Sequence, residues 1–128
     1  MRTLRQGLGF ALCVSLASAA PAANWAFFAQ CGEGSQLKAY SYDPGSVSMR
    51  GGQRLVKVAA DYSQDAGNRA RDGQLLWSID CAGQTYFEKS RTEYRANRSV
   101  VAKYRSPTIV MPITADSVAD KLAKKVCA

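Results

Sequence analysis

Residues 74–81 read Gln-Leu-Leu-Trp-Ser-Ile-Asp-Cys. Leu75, Trp77, Ile79 and Cys81 fall on one side of an extended chain, with Ser78 and Asp80 on the other. Period-two alternation carrying aromatic and β-branched side chains predicts a strand with one buried face. It also aims the Cys81 thiol at the core.

The same pattern repeats outward from this strand. Arg54 to Tyr62 places Val56, Val58, Ala60 and Tyr62 on one face, against Lys57 and Asp61. Gly51-Gly52 before it suits a two-residue hairpin, preceded by a short extended piece from Val47 to Arg50. Between the two strands, Ser63 to Asp72 is polar and aperiodic, which predicts the longest exposed loop. Further upstream, Trp25 to Gln30 reads as an opening strand with Trp25, Phe27 and Ala29 on one side. Gly32-Glu33-Gly34-Ser35 turns the chain into a second strand from Leu37 to Tyr42. Asp43-Pro44-Gly45-Ser46 predicts a turn in which proline presets the first central position and glycine takes positive φ at the second.

Downstream, Ala82-Gly83 turns the chain into a long strand from Thr85 to Tyr94, with Ser99 to Tyr104 pairing to it. Pro107 and Pro112 bracket an apolar Ile109-Val110-Met111. The period then changes. Val118, Leu122 and Val126 recur at i, i+4 and i+8, with Ala119, Ala123 and Cys127 beside them. Asp120, Lys121, Lys124 and Lys125 take the outer side, so an amphipathic helix is predicted. Asp116 is the expected N-cap, with Thr114 as competitor. The lysines near its end complement the helix dipole. The predicted fold is α+β: an antiparallel meander with one C-terminal helix packed on one face.

The first residues read as a secretory signal. Arg2 and Arg5 precede an apolar run from Leu8 to Leu16 that is too short to span a bilayer. Small residues follow, with cleavage sites after Ala19, Ala22 or Ala23, the last two preferred. The expected organisation is a signal peptide over 1–23 and a single domain over 24–128. Cys13 lies inside the apolar run after Leu12, which does not suit a lipoprotein site, and leaves with the signal.

Export implies oxidising surroundings, where cysteines pair. Cys127 lies in a terminal segment, which frays unless tied down. Cys81 faces the core and Cys127 the docking side of the helix, so a Cys81–Cys127 bridge would clip helix to sheet and leave Cys31 over. Cys31–Cys127 with Cys81 reduced is the rival pairing, because spacing alone does not settle connectivity.

The chain has 17 basic residues, 10 acidic ones and no histidine. Without histidine it lacks the commonest general base and the commonest transition-metal ligand. Three mature cysteines without it make a poor zinc site, and no phosphate-cradling glycine loop is present. No cofactor is expected. Asp61, Asp80, Glu88 and Glu93 offer carboxylates, but no spacing singles out a converging pair. Cys31 as a nucleophile would lack its base. Trp25 and Trp77 suit a core more than a stacking platform. The expectation is a non-enzymatic protein.

Several short motifs share one order and spacing. Asn24-Trp25 opens the mature chain, followed by Tyr40-Ser41-Tyr42-Asp43-Pro44-Gly45-Ser46-Val47 and Ser78-Ile79-Asp80-Cys81. Pro112, Ser117-Val118 and Val126-Cys127 close it. In this the chain resembles the surface-adhesin protein E family of Gram-negative bacteria, across nearly all of residues 24–128. The resemblance implies an antiparallel sheet with a C-terminal helix held on its concave side by a disulfide. It implies an outer-membrane adhesin that binds host matrix and serum proteins such as vitronectin, laminin and plasminogen, forms dimers and associates with haem. This chain departs from that pattern in having no histidine for haem and no convincing lipidation site.

The residues suggest where a partner would bind. Lys89, Arg91, Arg95, Arg98, Lys103 and Arg105 outnumber Glu88 and Glu93 between Thr85 and Arg105, with Tyr86, Phe87, Tyr94 and Tyr104 interleaved. Lys89 and Arg91 are expected to share one strand face, in a cationic row that attracts acidic proteins, heparin-like glycans or anionic lipid. The plainer alternative is a solvated face whose charges discourage edge pairing. Nucleic acid suits an exported chain poorly, and no nucleic-acid module is recognisable. The functional expectation is an exported, envelope-associated binding protein of the periplasm or cell surface. Two alternatives remain open: a periplasmic accessory protein without a host ligand, and an enzyme inhibitor using the Ser63–Asp72 loop.

Overall fold

A computed structural model of the chain describes residues 24–32, 37–105 and 108–128. The signal segment with Cys13, residues 33–35 of the first turn, and Pro107 lie outside the described residues.

The strands are β1 (Ala26–Cys31), β2 (Lys38–Tyr42), β3 (Ser48–Arg50), β4 (Gln53–Asp61), β5 (Asp72–Asp80), β6 (Thr85–Tyr94), β7 (Val100–Arg105) and β8 (Met111–Pro112). They form one antiparallel sheet in the order β1-β2-β4-β5-β6-β7. β3 continues β2 along the free side of β4, and β8 lies along β6 beyond β7. Among the described residues no helix is long and apolar enough to cross a membrane.

β4, β5 and β6 make the centre of the sheet, and both hairpins that bound β4 and β5 have local causes. Gly51 and Gly52 carry φ of 54° and 82°, the two positive values a type I′ hairpin needs, so this turn forms as expected. After β5, the Gly83 N–H donates to Asp80 Oδ1 at 2.9 Å. A Cβ on Gly83 would sit 2.7 Å from the Asp80 carboxylate, so glycine is needed for that approach.

The expected Asp43–Ser46 turn forms differently. Pro44–Ser46 is a 3₁₀ turn, and Gly45 is not in the left-handed region. The Gly45 N–H donates to Asp43 Oδ1, which closes the turn without positive φ. The turn sits over Lys57, whose N–H donates to Ser46 Oγ and whose carbonyl accepts from the Asp43 N–H. β2 and β3 are therefore one strand interrupted opposite the middle of β4.

Two bulges set which side chains reach the core. In β1 the register jumps between Phe27 and Ala29, so the predicted alternation of Trp25, Phe27 and Ala29 fails. Phe28 and Ala29 are both buried, while Phe27 faces solvent. A second bulge lies in β6, between the partners of Leu76 and Trp77.

The inner face carries Val56, Val58, Ala60 and Tyr62 from β4 and its exit, and Leu75, Trp77 and Ile79 from β5. Phe28 and the helix complete this core. The helix α1 (Val118–Val126) buries Ala119, Leu122 and Val126. Its cap is Ser117, not Asp116 or Thr114. Ser117 Oγ accepts from the Asp120 N–H, and Asp120 Oδ2 accepts in return from Asp116, which occupies φ +64°. Only the forward half of a capping box is made, because the Ser117 N–H donates to the Thr114 carbonyl and the Asp120 carboxylate takes the N–H of the residue before the cap. Cys81 and Cys127 form the disulfide that ties the helix to the end of β5.

The segment between β4 and β5 is less free than its composition predicts. Tyr62 and Ala70 are buried, the Tyr62 N–H donates to the Arg71 carbonyl, and the Arg71 N–H donates to the Tyr94 carbonyl. Lys38 Nζ pairs with Asp65 at 3.0 Å.

Candidate functional site

β6 pairs with β5 through a register jump. Leu76 lies opposite Ser90, but Trp77 lies opposite Glu88, which leaves Lys89 without a partner. A bulge of this kind lets residues on either side of it share a face out of the usual alternation. Partners directly opposite across a ladder point to the same side. Glu88 therefore faces inward with Trp77, and Arg91 faces inward with Leu75. The expected pairing of Lys89 and Arg91 on one face does not occur.

Arg91 is clamped on the inner face. Its Nε and Nη2 donate to the two carboxylate oxygens of Glu88 at 3.0 and 2.8 Å. Its Nη1 donates to Glu93 Oε2 and to the Tyr62 hydroxyl, both at 3.1 Å. Trp77 Nε1 adds a bond to Glu88 at 3.1 Å. Burial alone would lower the Arg91 pKa, but the bonds to Glu88, Tyr62 and Glu93 outweigh it, and the guanidinium is held more firmly charged than usual. Burial pushes the Tyr62 phenol up, so it stays protonated beside this cation. A forked guanidinium bound on both arms is a structural tie.

Arg95 and Arg98 occupy the β6–β7 hairpin. Arg95 Nη1 donates to Ser99 Oγ and to the Val100 carbonyl, each at 3.3 Å. Arg98 stands at φ +71°, pairs with Asp72 at 2.7 Å and lies 4.6 Å above the Tyr94 ring. These two arginines stiffen the turn.

Lys89, Lys103 and Arg105 converge instead. With Leu76, Ser90, Thr92 and Tyr104 they line a groove of about 560 Å³. The ladder explains the grouping: Lys57, Leu76, Ser90 and Arg105 form one cross-strand row, and Ala59, Gln74, Thr92 and Lys103 form the next. These rows bring four cations, Lys89 included, to the outer face and no carboxylate. Strand spacing puts Lys57 about 14 Å from Arg105 along the row. Among the described residues none of Lys57, Lys89, Lys103 and Arg105 makes an ion pair. Sequence reasoning missed Lys57 and Leu76 as members, because only the register brings them there.

Other expected features separate. Trp77 packs against Tyr86 on the inner face, with ring centroids 5.2 Å apart and planes tilted by 42°, whereas Trp25 lines an outer hollow with Phe27, so the two tryptophans form no platform. Cys31 keeps a free thiol beside Tyr40, whose phenol is pushed up to about 12 by burial first and then by Cys31. Among the described residues no three His, Cys, Asp or Glu side chains gather as a metal site would require.

No curated protein sequence matches the chain. Its fold is that of protein E from Haemophilus influenzae. One structure of that protein aligns with a TM-score of 0.53 at 13% identity, over 85% of this chain and 90% of the other. A second, from a non-typeable strain, gives 0.53 at 14% identity over 89% and 82%. A further crystal form gives 0.50 at 14% over 69% and 79%. The model of the family described as surface-adhesin protein E matches residues 28–128. With that match running from the β1 bulge through the helix and its disulfide, the chain belongs to the surface-adhesin protein E family.

Proposed function

We propose that this protein is an exported, non-enzymatic binding protein of the cell envelope. In this reading it holds acidic macromolecules, host matrix or serum proteins among them, on the outer face of its sheet. The observation that carries the reading is the groove of Lys89, Lys103 and Arg105 over Leu76, with Lys57 in the adjoining row. Its cations are not neutralised by ion pairs among the described residues, unlike Arg91 and Arg98. An uncompensated basic groove on a rigid sheet raises the local concentration of polyanions and speeds their encounter. Family membership supports surface adhesion, and the lack of histidine supports a non-enzymatic role.

Heparin–agarose elution and pull-down from host serum test the proposal. Lys89→Glu, Lys103→Glu and Arg105→Glu together are expected to abolish retention at physiological salt. Arg95→Glu is expected to change it little. Equal loss in both variants, or retention that ignores salt, would count against the groove.

A further inference from the structure

The large hydrophobic side chains left exposed are not scattered. Trp25, Phe27 and Met49 lie elsewhere, but Val100, Tyr104, Ile109, Val110 and Met111 belong to a single edge of the sheet. Ile109 is 60% exposed, Val110 56% and Met111 46%, three consecutive apolar residues with none buried. A strand face that packed on a core would hide every second one. Tyr104, Ile109 and Met111 wall a hollow of about 420 Å³ whose floor is Trp77, Tyr86 and the Glu88–Arg91 pair. The hollow opens on the inner face and the basic groove on the outer, and Tyr104, on the edge strand between them, lines both.

The charge pattern points the same way. From Tyr94 to Ala115 the sequence contains Arg95, Arg98, Lys103 and Arg105 and no acidic residue. The carboxylate in the lining of the hollow, Glu88, is engaged by Arg91. Cations meant only to keep an edge from pairing would not need an exposed Ile-Val-Met run beside them. A soluble polyanion would satisfy the lysines and arginine but leave that run in water. An anionic bilayer satisfies both: phosphates meet the cations, tyrosine sits at headgroup level and the apolar residues enter the acyl boundary.

We propose that the β7–β8 edge docks on an anionic lipid surface, with Ile109, Val110 and Met111 as the inserted tip and Lys89, Lys103 and Arg105 as the headgroup contacts. The proposal shares its cations with the polyanion reading but stands on the apolar run.

The test is co-sedimentation of the protein with vesicles of equimolar phosphatidylglycerol and phosphatidylcholine, with pure phosphatidylcholine as control. A heparin column is run in parallel. The protein is expected to sediment with the anionic vesicles only. Ile109→Ser with Val110→Ser, both at exposed positions, is expected to weaken vesicle partitioning about tenfold or more and leave heparin retention unchanged. Lys103→Glu with Arg105→Glu is expected to lose both. A Val110→Trp variant should shift its fluorescence to the blue on anionic vesicles. Heparin retention without vesicle binding, vesicle binding indifferent to the Ile109 and Val110 changes, or no shift from the tryptophan on bound vesicles would each overturn the proposal. Vesicle binding that responds as expected while heparin is not retained would uphold it and sink the polyanion reading.

Discussion

Lys89 and Arg91 stand two residues apart in sequence and on opposite faces of the sheet. Arg91 lies inward, forked onto Glu88 and bonded to Glu93 and Tyr62. Lys89, the bulged residue, lies outward in a groove with Lys103 and Arg105 and no carboxylate. The same charge thus serves cohesion on one face and is left available on the other. A cluster of like residues in a sequence is therefore not yet a surface; the ladder decides which of its members meet.

That contrast can be broken most forcefully from the inner side. The Cys81–Cys127 bridge spans 46 residues, and the chain-entropy model assigns its loss about 4 kcal/mol. Reduction is expected to lower the urea midpoint by a large fraction and to release α1 first, read by loss of helical circular dichroism. Heparin retention measured below the new midpoint should persist, since the helix packs into the inner-face core and the groove lies on the outer face.

The middle-sized effect sharpens the comparison directly. Arg91→Ala leaves two partly buried carboxylates without their cation and is expected to cost about 2 kcal/mol, less than a fully buried pair because the site is partly wet. Lys89→Ala, on the outer face, should stay within about 0.5 kcal/mol. Heparin affinity should rank the two the other way. Urea unfolding and column elution on the same pair of variants check both halves.

The smallest expected effect concerns acid. Hydrogen bonds from the side chain and backbone of Ser63 hold the Asp61 carboxyl below the usual aspartate range. A carboxyl depressed on folding stabilises the protein above its unfolded value, near pH 3.9, and loses that contribution as pH falls through the folded value. Asp61→Asn should therefore weaken the protein measurably at pH 7 and progressively less towards pH 2. A difference that stays constant with pH would rule this out.

Most of the centre of the sheet was legible because its signals are local. Val56, Val58, Ala60 and Tyr62 alternate without interruption, Gly51-Gly52 suits one turn type, and the faces of Cys81 and Cys127 favoured the bridge that forms. The bulges at Phe28 and Lys89 were not legible, because an inserted residue leaves no mark in composition and shows only against its partner strand. Asp116 and Ser117 are both good caps, and what separates them is Asp120, three residues after Ser117, which gives its N–H to the Ser117 hydroxyl oxygen and takes the Asp116 N–H on its carboxylate. The basic residues of the candidate site were all visible. Their division into clamp, hairpin and groove depended on register, as did the arrival of Lys57 and Leu76.

The bridge also imposes an order in time. Under the proposed export, a chain that emerges from its N-terminus presents Cys31 first, then Cys81, and Cys127 only after 46 further residues. Throughout that interval, in a chain from which residues 1–23 are removed as the sequence predicts, Cys31 is the one other thiol with which Cys81 can form an intramolecular pair. The native partner arrives with α1, the element whose apolar stripe carries Cys127 onto the face where Cys81 waits. Correct oxidation therefore depends on late docking of the helix, and a chain stalled before Cys127 would be left with a non-native Cys31–Cys81 link as its only intramolecular choice.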